Sequence, residues 1–211
     1  QTILIASPYV PFPLSHGGAV RIYNLALRAA RAHDIVLVAF TDRLDTPPAE
    51  LLAFCAEIVL VEHAGSHALP STSRPDVVEE FDSPVFHAVL RQTVRKWRPA
   101  VAQLEFTQME QYAADCAPAK TILVEHDITF DLFEQLARTA PGWETQRQLE
   151  KWRDFETRAW TEVDQVVTMS AKDAARVKRA PVEVVPNGVD LERFRPSTKE
   201  PDPGRILFLG S

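Results

Sequence analysis

Seven places in this chain have residue types that can do chemistry, and most stand where an apolar run ends. Gly17-Gly18 opens a helical pattern after the proline-stiffened loop Ser7-Pro8-Tyr9-Val10-Pro11-Phe12-Pro13. Free N–H groups and the helix dipole at such a start suit a phosphate, and glycine lets the anion come close. A plain strand-to-helix turn that needs glycine fits the same residues. Glu105 closes the run Val101 to Leu104. Its carboxylate can take acceptor hydroxyls, or it is a solvated loop residue or a partner for a helix start. Val124-Glu125-His126-Asp127 ends another run. His126 is placed to hydrogen-bond a ligand or to serve structure, and Asp127 to bind a ligand or cap the helix from Thr129. Ser170 follows Met169 and reads as an N-cap, with a sugar or phosphate contact as the other role. Asn187-Gly188, after Pro186, reads as a tight-turn pair because both residues tolerate positive φ. Asp190 then caps a short turn whose apolar residues are Leu191 and Phe194. Arg91, Arg95 and Arg98 share one stripe of a helix, beside Lys96 and Trp97. They fit either a solvated face or an anionic lipid surface.

These residues must be positioned by an alternation of strands and helices. Strands are expected at Ile3 to Ala6, Ile35 to Phe40, Ile58 to Val61, Val101 to Leu104, Thr121 to Val124, Gln165 to Met169 and Val182 to Val185. Helices are expected at Gly17 to Ala32, with Ile22, Leu25 and Leu27 among its apolar residues, and at Ala49 to Ala56, Ser83 to Trp97 and Gln108 to Ala114. Three more fall at Thr129 to Arg138, from Trp143 to about Val163, and at Ala171 to Arg179. Ala64 to Asp82 reads as a polar surface loop. Unbroken apolar strands separated by helices imply a parallel sheet covered on both faces, a doubly wound, Rossmann-like α/β domain. Ligands of such sheets bind beyond the carboxyl ends of the strands.

Composition narrows the partners. With 211 residues the chain can bury a sizeable core. A net charge of −6 argues against a general nucleic-acid binder. Cys55 and Cys116 stand far apart and in no metal or redox spacing, as expected of reduced thiols in a cytoplasmic protein. No apolar run approaches the roughly 20 residues of a membrane span. There is no Asp-x-Asp pair to hold a divalent ion, no Gly-x-Gly-x-x-Gly, no P-loop and no Gly-x-Ser-x-Gly elbow. No metal and no cofactor are expected.

The string Val184-Val185-Pro186-Asn187-Gly188-Val189-Asp190-Leu191-Glu192-Arg193-Phe194-Arg195-Pro196 closely resembles the interdomain segment of glycosyltransferase family 4, the retaining GT-B enzymes. Gly17 to Ala30, "GGAVRIYNLALRAA", is similar to the family's glycine-pair segment, and "ILVEHD", ending at Asp127, to its His-bearing strand end. A softer similarity links "QLEFTQMEQY", from Gln103 to Tyr112, to members associated with exopolysaccharide assembly.

The resemblance implies a bacterial, cytoplasmic enzyme of polysaccharide or glycolipid synthesis. It would transfer a sugar from a nucleotide-sugar to a saccharide or lipid-linked hydroxyl with retention. Gly17 and Gly18 would approach the donor diphosphate and His126 would contact the donor hexose. Ser170 stands where the family carries a serine, and Asn187-Gly188 would border the cleft. Residues 1–196 are expected to be the N-terminal, acceptor-side half of a GT-B fold. Residues 197–211 would be a linker and, from Arg205 to Ser211, the first strand of a donor-binding domain. That half alone should not transfer sugar, and the arginine stripe would allow contact with the inner face of a membrane. Two other functions fit the sequence: a GT-B-type nucleotide-sugar epimerase, which needs no acceptor, and a non-catalytic nucleotide or sugar-phosphate binding module.

Overall fold

Along β1 (Thr2–Ser7), Leu4 and Ala6 join one apolar cluster while Ile3 and Ile5 join another, so the strand is covered on both faces. β2 (Asp34–Thr41) does the same: Val38 and Phe40 pack with the first cluster, Ile35, Leu37 and Ala39 with the second. Apolar residues at consecutive positions make this possible, and in a parallel sheet the crossover helices supply the cover. The computed structural model describes residues 1–44, 46–63, 65, 72–191, 194–195, 200, 203–206 and 208. Within them lies a seven-stranded, all-parallel sheet of order β3-β2-β1-β4-β5-β6-β7. The remaining strands are β3 (Cys55–Glu62), β4 (Val101–Glu105), β5 (Lys120–Glu125), β6 (Gln165–Thr168) and β7 (Val182–Val184).

α1 (Gly17–Ala29) and α2 (Ala49–Leu52) cover one face of the sheet through Ile22, Ala26 and Leu51. α4 (Pro84–Trp97), a 3-10 helix (Thr107–Cys116), α5 (Thr129–Thr139) and α6 (Trp143–Ala159) cover the other, with Phe86, Met109, Tyr112, Phe130 and Trp152 among the packed residues. Ser83 caps α4 as its position before a proline suggests, its hydroxyl accepting from Phe86 N at 3.2 Å. The fold is therefore the expected doubly wound, Rossmann-like domain.

Several local expectations differ. α2 stops at Leu52 because β3 begins at Cys55, where the chain already pairs with Ile35. α7 (Ala171–Ala174) is one turn long, and a short i to i+3 turn carries the chain on to Val177. α6 likewise tightens after Ala159. The stretch read as a loop up to Asp82 contains α3 (Asp76–Glu80), which starts after Pro75 with Asp76 and Glu79 in its first turn. Leu25 is exposed, and the buried stripe of α1 runs instead through Ala19, Ile22 and Ala26, with Arg21 beside it.

Neither Asn187 nor Gly188 has a positive φ, and the segment forms no tight turn there. Beyond it, Phe194 N donates to Asp190 O at 2.8 Å, and residues 192 and 193 between them lie outside the described residues. Of the strand expected from Arg205 to Ser211, residues 207 and 209–211 lie outside the described residues. The described Arg205, Ile206 and Phe208 are in no regular element. Cys55 and Cys116 are both free.

Candidate functional site

Strand order turns about β1: β2 and β3 lie to one side and β4 to β7 to the other. Ligands of open α/β sheets bind at the crevice this creates at the carboxyl edge. The two loops that meet there carry Tyr9, after β1, and Phe106, after β4. Their rings are 5.6 Å apart, edge to face, and Tyr9 also lies edge-on to His16. A cavity of about 390 Å³ opens on the β4–β6 side, lined by Phe106, His126, Asp127, Thr129 and Lys172 among others. Another, of about 460 Å³, opens on the β1–β3 side against Tyr9, Phe12, Phe40 and His63.

The glycine pair sits at this crevice, as the sequence places it, at the N-terminus of α1. Two of the helix's first N–H groups are already used: Ala19 N donates to His16 Nδ1 at 3.4 Å and Val20 N to His16 O at 3.1 Å. Those of Gly17 and Gly18 have no partner among the described residues. The two glycines are otherwise different. A Cβ on Gly17 would meet nothing within 4 Å. A Cβ on Gly18 would lie 2.3 Å from the Tyr9 hydroxyl and 2.9 Å from Phe106 Cζ, so the close packing of those rings itself requires glycine. Gly18→Val should therefore lower stability by about 1–3 kcal/mol through overpacking. Gly17→Val should leave it within about 0.5 kcal/mol. Urea unfolding of both variants checks this; equal, small losses would mean the rings yield freely. The Tyr9 hydroxyl is buried with no partner among the described residues. Burial first, and then the charge of Glu105, push its pKa up.

Glu105 is not the open cleft residue that the sequence suggests. It is 1% exposed, because β4 runs through the middle of the sheet and Glu105 is its last residue. Its two oxygens are both taken: Oε1 accepts from Gln103 Nε2 at 2.5 Å, and Oε2 lies 2.8 Å from His126 Nε2. It can neither bind acceptor hydroxyls from the cleft nor serve as a solvated loop residue. His126 follows β5 directly, and its side chain is 8% exposed at the cavity wall. Phe106 stacks on its ring, 3.8 Å between centroids and 7° between planes. Phe106 has φ 70°, ψ 148°, a backbone region that costs an L-residue free energy and is tolerated where the surroundings over-determine it.

Asp127 is exposed, lines the same cavity and forms no hydrogen bond with a described residue. It does not cap α5. That role falls to Glu156 of α6, whose carboxylate accepts from Thr129 N (2.7 Å) and Phe130 N (2.8 Å). Ser170 is an N-cap, accepting from Asp173 N at 3.1 Å. Asn187 is held from the far side of the sheet order: the Arg21 guanidinium donates to Val185 O (2.8 Å), Pro186 O (3.2 Å) and Asn187 Oδ1 (3.0 Å). Gly188 stands in open space. Arg21 is itself buried, and burial lowers its pKa while Glu105 offsets that. Sequence reading missed this residue, since a basic side chain in a helix usually signals a wet face. Arg21→Met should cost about 1–3 kcal/mol by leaving three acceptors short of a donor. Thermal unfolding of the variant is the check, and an unchanged midpoint would mean the tie is idle.

Beneath the cavity floor is a cluster the sequence gives no hint of. Glu125 (1% exposed) and Glu156 (0% exposed) both lie within reach of the Thr107 hydroxyl, and Trp160 Nε1 donates to Glu125 Oε1 at 2.7 Å. No described lysine or arginine hydrogen-bonds to either. Burial raises both pKa values, and Glu156 raises that of Glu125 further. Glu110, on the 3-10 helix, is pushed by burial to about 7.

The arginine stripe is split. Arg91 is bound to Asp115 at 2.6 Å and Lys96 to Glu57 at 2.6 Å, while Trp97 Nε1 also donates to Glu57. Arg95 and Arg98 are exposed at the end of α4, which leads into the amino end of β4, across the sheet from the cavities.

Residues 15–193 match Glycosyltransferase Family 4. No curated protein sequence matches. Among solved structures, sucrose-phosphate synthase from Thermosynechococcus elongatus is similar over 93% of this chain and 50% of its own, with a TM-score of 0.69 and 15% identity. A UDP-glucosyltransferase from Polygonum tinctorium that can glucosylate indoxyl is similar over 89% of this chain and 52% of its own, with a TM-score of 0.57 and 11% identity. The UGT2 of Phytolacca americana, complexed with UDP-2-fluoro-glucose and pterostilbene, reaches a TM-score of 0.51 at 11% identity, over 89% of this chain and 54% of its own. The chain thus spans about half the length of these GT-B glycosyltransferases and shares their fold.

Proposed function

Because the chain belongs to glycosyltransferase family 4, we propose that it is the N-terminal, acceptor-side domain of an enzyme that moves a sugar from a nucleotide-sugar to a hydroxyl with retention at the anomeric carbon. The acceptor on this reading is a saccharide or a lipid-linked sugar, and the pathway bacterial polysaccharide or glycolipid synthesis on the cytoplasmic side. The observation that carries the reading is the meeting, at one crevice, of two unpaired glycine N–H groups and His126 at the wall of a cavity. The N–H groups suit the diphosphate and the imidazole a sugar hydroxyl. Chemistry of this kind can proceed without a metal where helix N-termini and basic side chains stabilise the leaving diphosphate.

The test is incubation of the full-length protein with a panel of nucleotide-sugars, with and without saccharide or lipid-linked acceptors. Product is expected only when an acceptor is present, with its anomeric configuration, read by proton NMR, matching the donor. Sugar-nucleotide turnover without acceptor would favour the epimerase function, and binding with no turnover the non-catalytic module.

Contact with an anionic membrane surface is supported by the exposure of Arg95 and Arg98 alone, since Arg91 is committed to Asp115. No described helix is long and apolar enough to cross a membrane. Sedimentation with anionic vesicles at low salt, lost in Arg95→Gln/Arg98→Gln, is the expected outcome; equal sedimentation by both forms would assign the pair to a solvated face.

A further inference from the structure

His126 has two ring nitrogens, and the structure treats them differently. Nε2 faces Glu105 Oε2 at 2.8 Å, inside the protein. Nδ1 makes no hydrogen bond with a described residue, and the residue lines the cavity. Glu105 is fixed in turn by Gln103, whose amide donates to Oε1. Two donors converge on Glu105, which is why a carboxylate stands there: it accepts on both oxygens. A carboxylate brings no hydrogen to the bond, so the imidazole must supply it from Nε2. Phe106, stacked flat on the ring, keeps the imidazole in this plane.

We infer that Glu105 is a positioning residue that takes the Nε2–H of His126, so that the neutral ring presents a bare Nδ1 lone pair to the cleft. The inference rests on the reading of His126 as a substrate-contacting residue, and it sharpens that reading. A lone pair attracts a hydroxyl hydrogen and repels a phosphate oxygen. His126 is therefore built to hold a hydroxyl of a sugar, and the anionic part of a donor belongs at the glycine pair.

Removing the charge at nearly constant shape tests this. In Glu105→Gln one of the two acceptor atoms becomes a donor. If the amide oxygen keeps its bond from Gln103, the new NH2 group faces His126 Nε2 and drives the proton to Nδ1. The 211-residue chain, labelled with nitrogen-15, should show an Nε2–H, Nδ1-bare imidazole for His126 at pH 7.5 in long-range proton–nitrogen spectra. Glu105→Gln should lose that single tautomer. In the full-length enzyme the same variant should lower kcat/KM by about tenfold or more, while Tm moves by a few degrees at most. A parent His126 that is an imidazolium or an Nδ1–H tautomer overturns the inference. So does a Glu105→Gln chain that keeps the parental tautomer. The tautomer is read without substrate, so it stands or falls apart from whether His126 touches one.

Discussion

On the proposed function, His126→Ala in the full-length enzyme should lower kcat/KM by about tenfold to a thousandfold, the range for losing one positioned polar contact. The cavity wall, the stacked Phe106 and the paired Nε2 all hold the ring in one pose. Its loss removes a preorganised partner rather than one of many interchangeable contacts. The variant also pays in stability. The side chain is 8% exposed and its partner Glu105 is deeply buried, so Ala leaves that carboxylate short of a donor, at a cost of about 1–3 kcal/mol. Steady-state kinetics with the cognate donor, together with urea unfolding, separate the two effects. Unchanged kinetics alongside a stability loss would make His126 structural and withdraw it from the site. The tautomer measured in the chain by itself would still decide the role of Glu105.

Much of the fold was legible because the strands are covered on both faces. Ile35 to Phe40 has no polar residue to mark a wet side, and such a run has few homes other than a parallel sheet. Legibility failed where one signal served two elements. Phe54 and Cys55 continue the apolar pattern of α2, but Phe54 leads into β3 and Cys55 begins it, where register is set by the partner strand. Asn187-Gly188 has the composition of a turn, yet neither residue takes a positive φ and Arg21 ties Val185, Pro186 and Asn187 from another helix, so local propensity yields to that tie.

The site was legible as a set of positions and illegible as a set of contacts. Strand ends locate Glu105, His126, Ser170 and the glycine pair in one rim, since all strands run the same way. Which residues touch depends on strand order and register. Glu105 pairs with Val124 across the β4–β5 ladder, which sets it near His126 although they are far apart in the chain. Glu156 was hidden for a different reason. It lies in a helix of mostly polar residues, where one buried carboxylate cannot be told from its solvated neighbours without knowing which face the helix turns inward.

That hidden pair gives the second large effect. Glu125 and Glu156 share the one Thr107 hydroxyl, and no cation among the described residues is bonded to either. Glu156 is the better anion, because Thr129 N and Phe130 N, at the positive end of α5, both point at it. Glu125, with Trp160 and Thr107 as its partners, receives no backbone amide and is the one expected to hold a proton more tightly. Both carboxyls titrate above their ordinary value of 4.5, chiefly because burial disfavours the charged form. As pH rises past 4.5 the unfolded chain releases these protons while the folded chain holds them, so stability falls with pH. The fall continues until the folded carboxyls ionise as well. The depressed carboxylates Glu144 and Asp164 act in the opposite sense, but only as pH drops below the ordinary carboxylate range. Every other titratable group is common to parent and variant and cancels in the difference between them. Glu125→Gln copies the protonated form: its carbonyl accepts from Trp160 and its NH2 donates to Thr107. Its stability should match the parent's near pH 4.5 and exceed it increasingly up to pH 8.5, by at most about 1.4 kcal/mol per pH unit for each proton retained. Glu156→Gln should do the reverse, losing about 1–3 kcal/mol at every pH, because one carbonyl cannot serve two backbone amides. Urea unfolding of the three proteins across that range decides it. Parallel curves for parent and Glu125→Gln would mean that Glu125 is ionised in the folded protein throughout, and that the pair shares no proton.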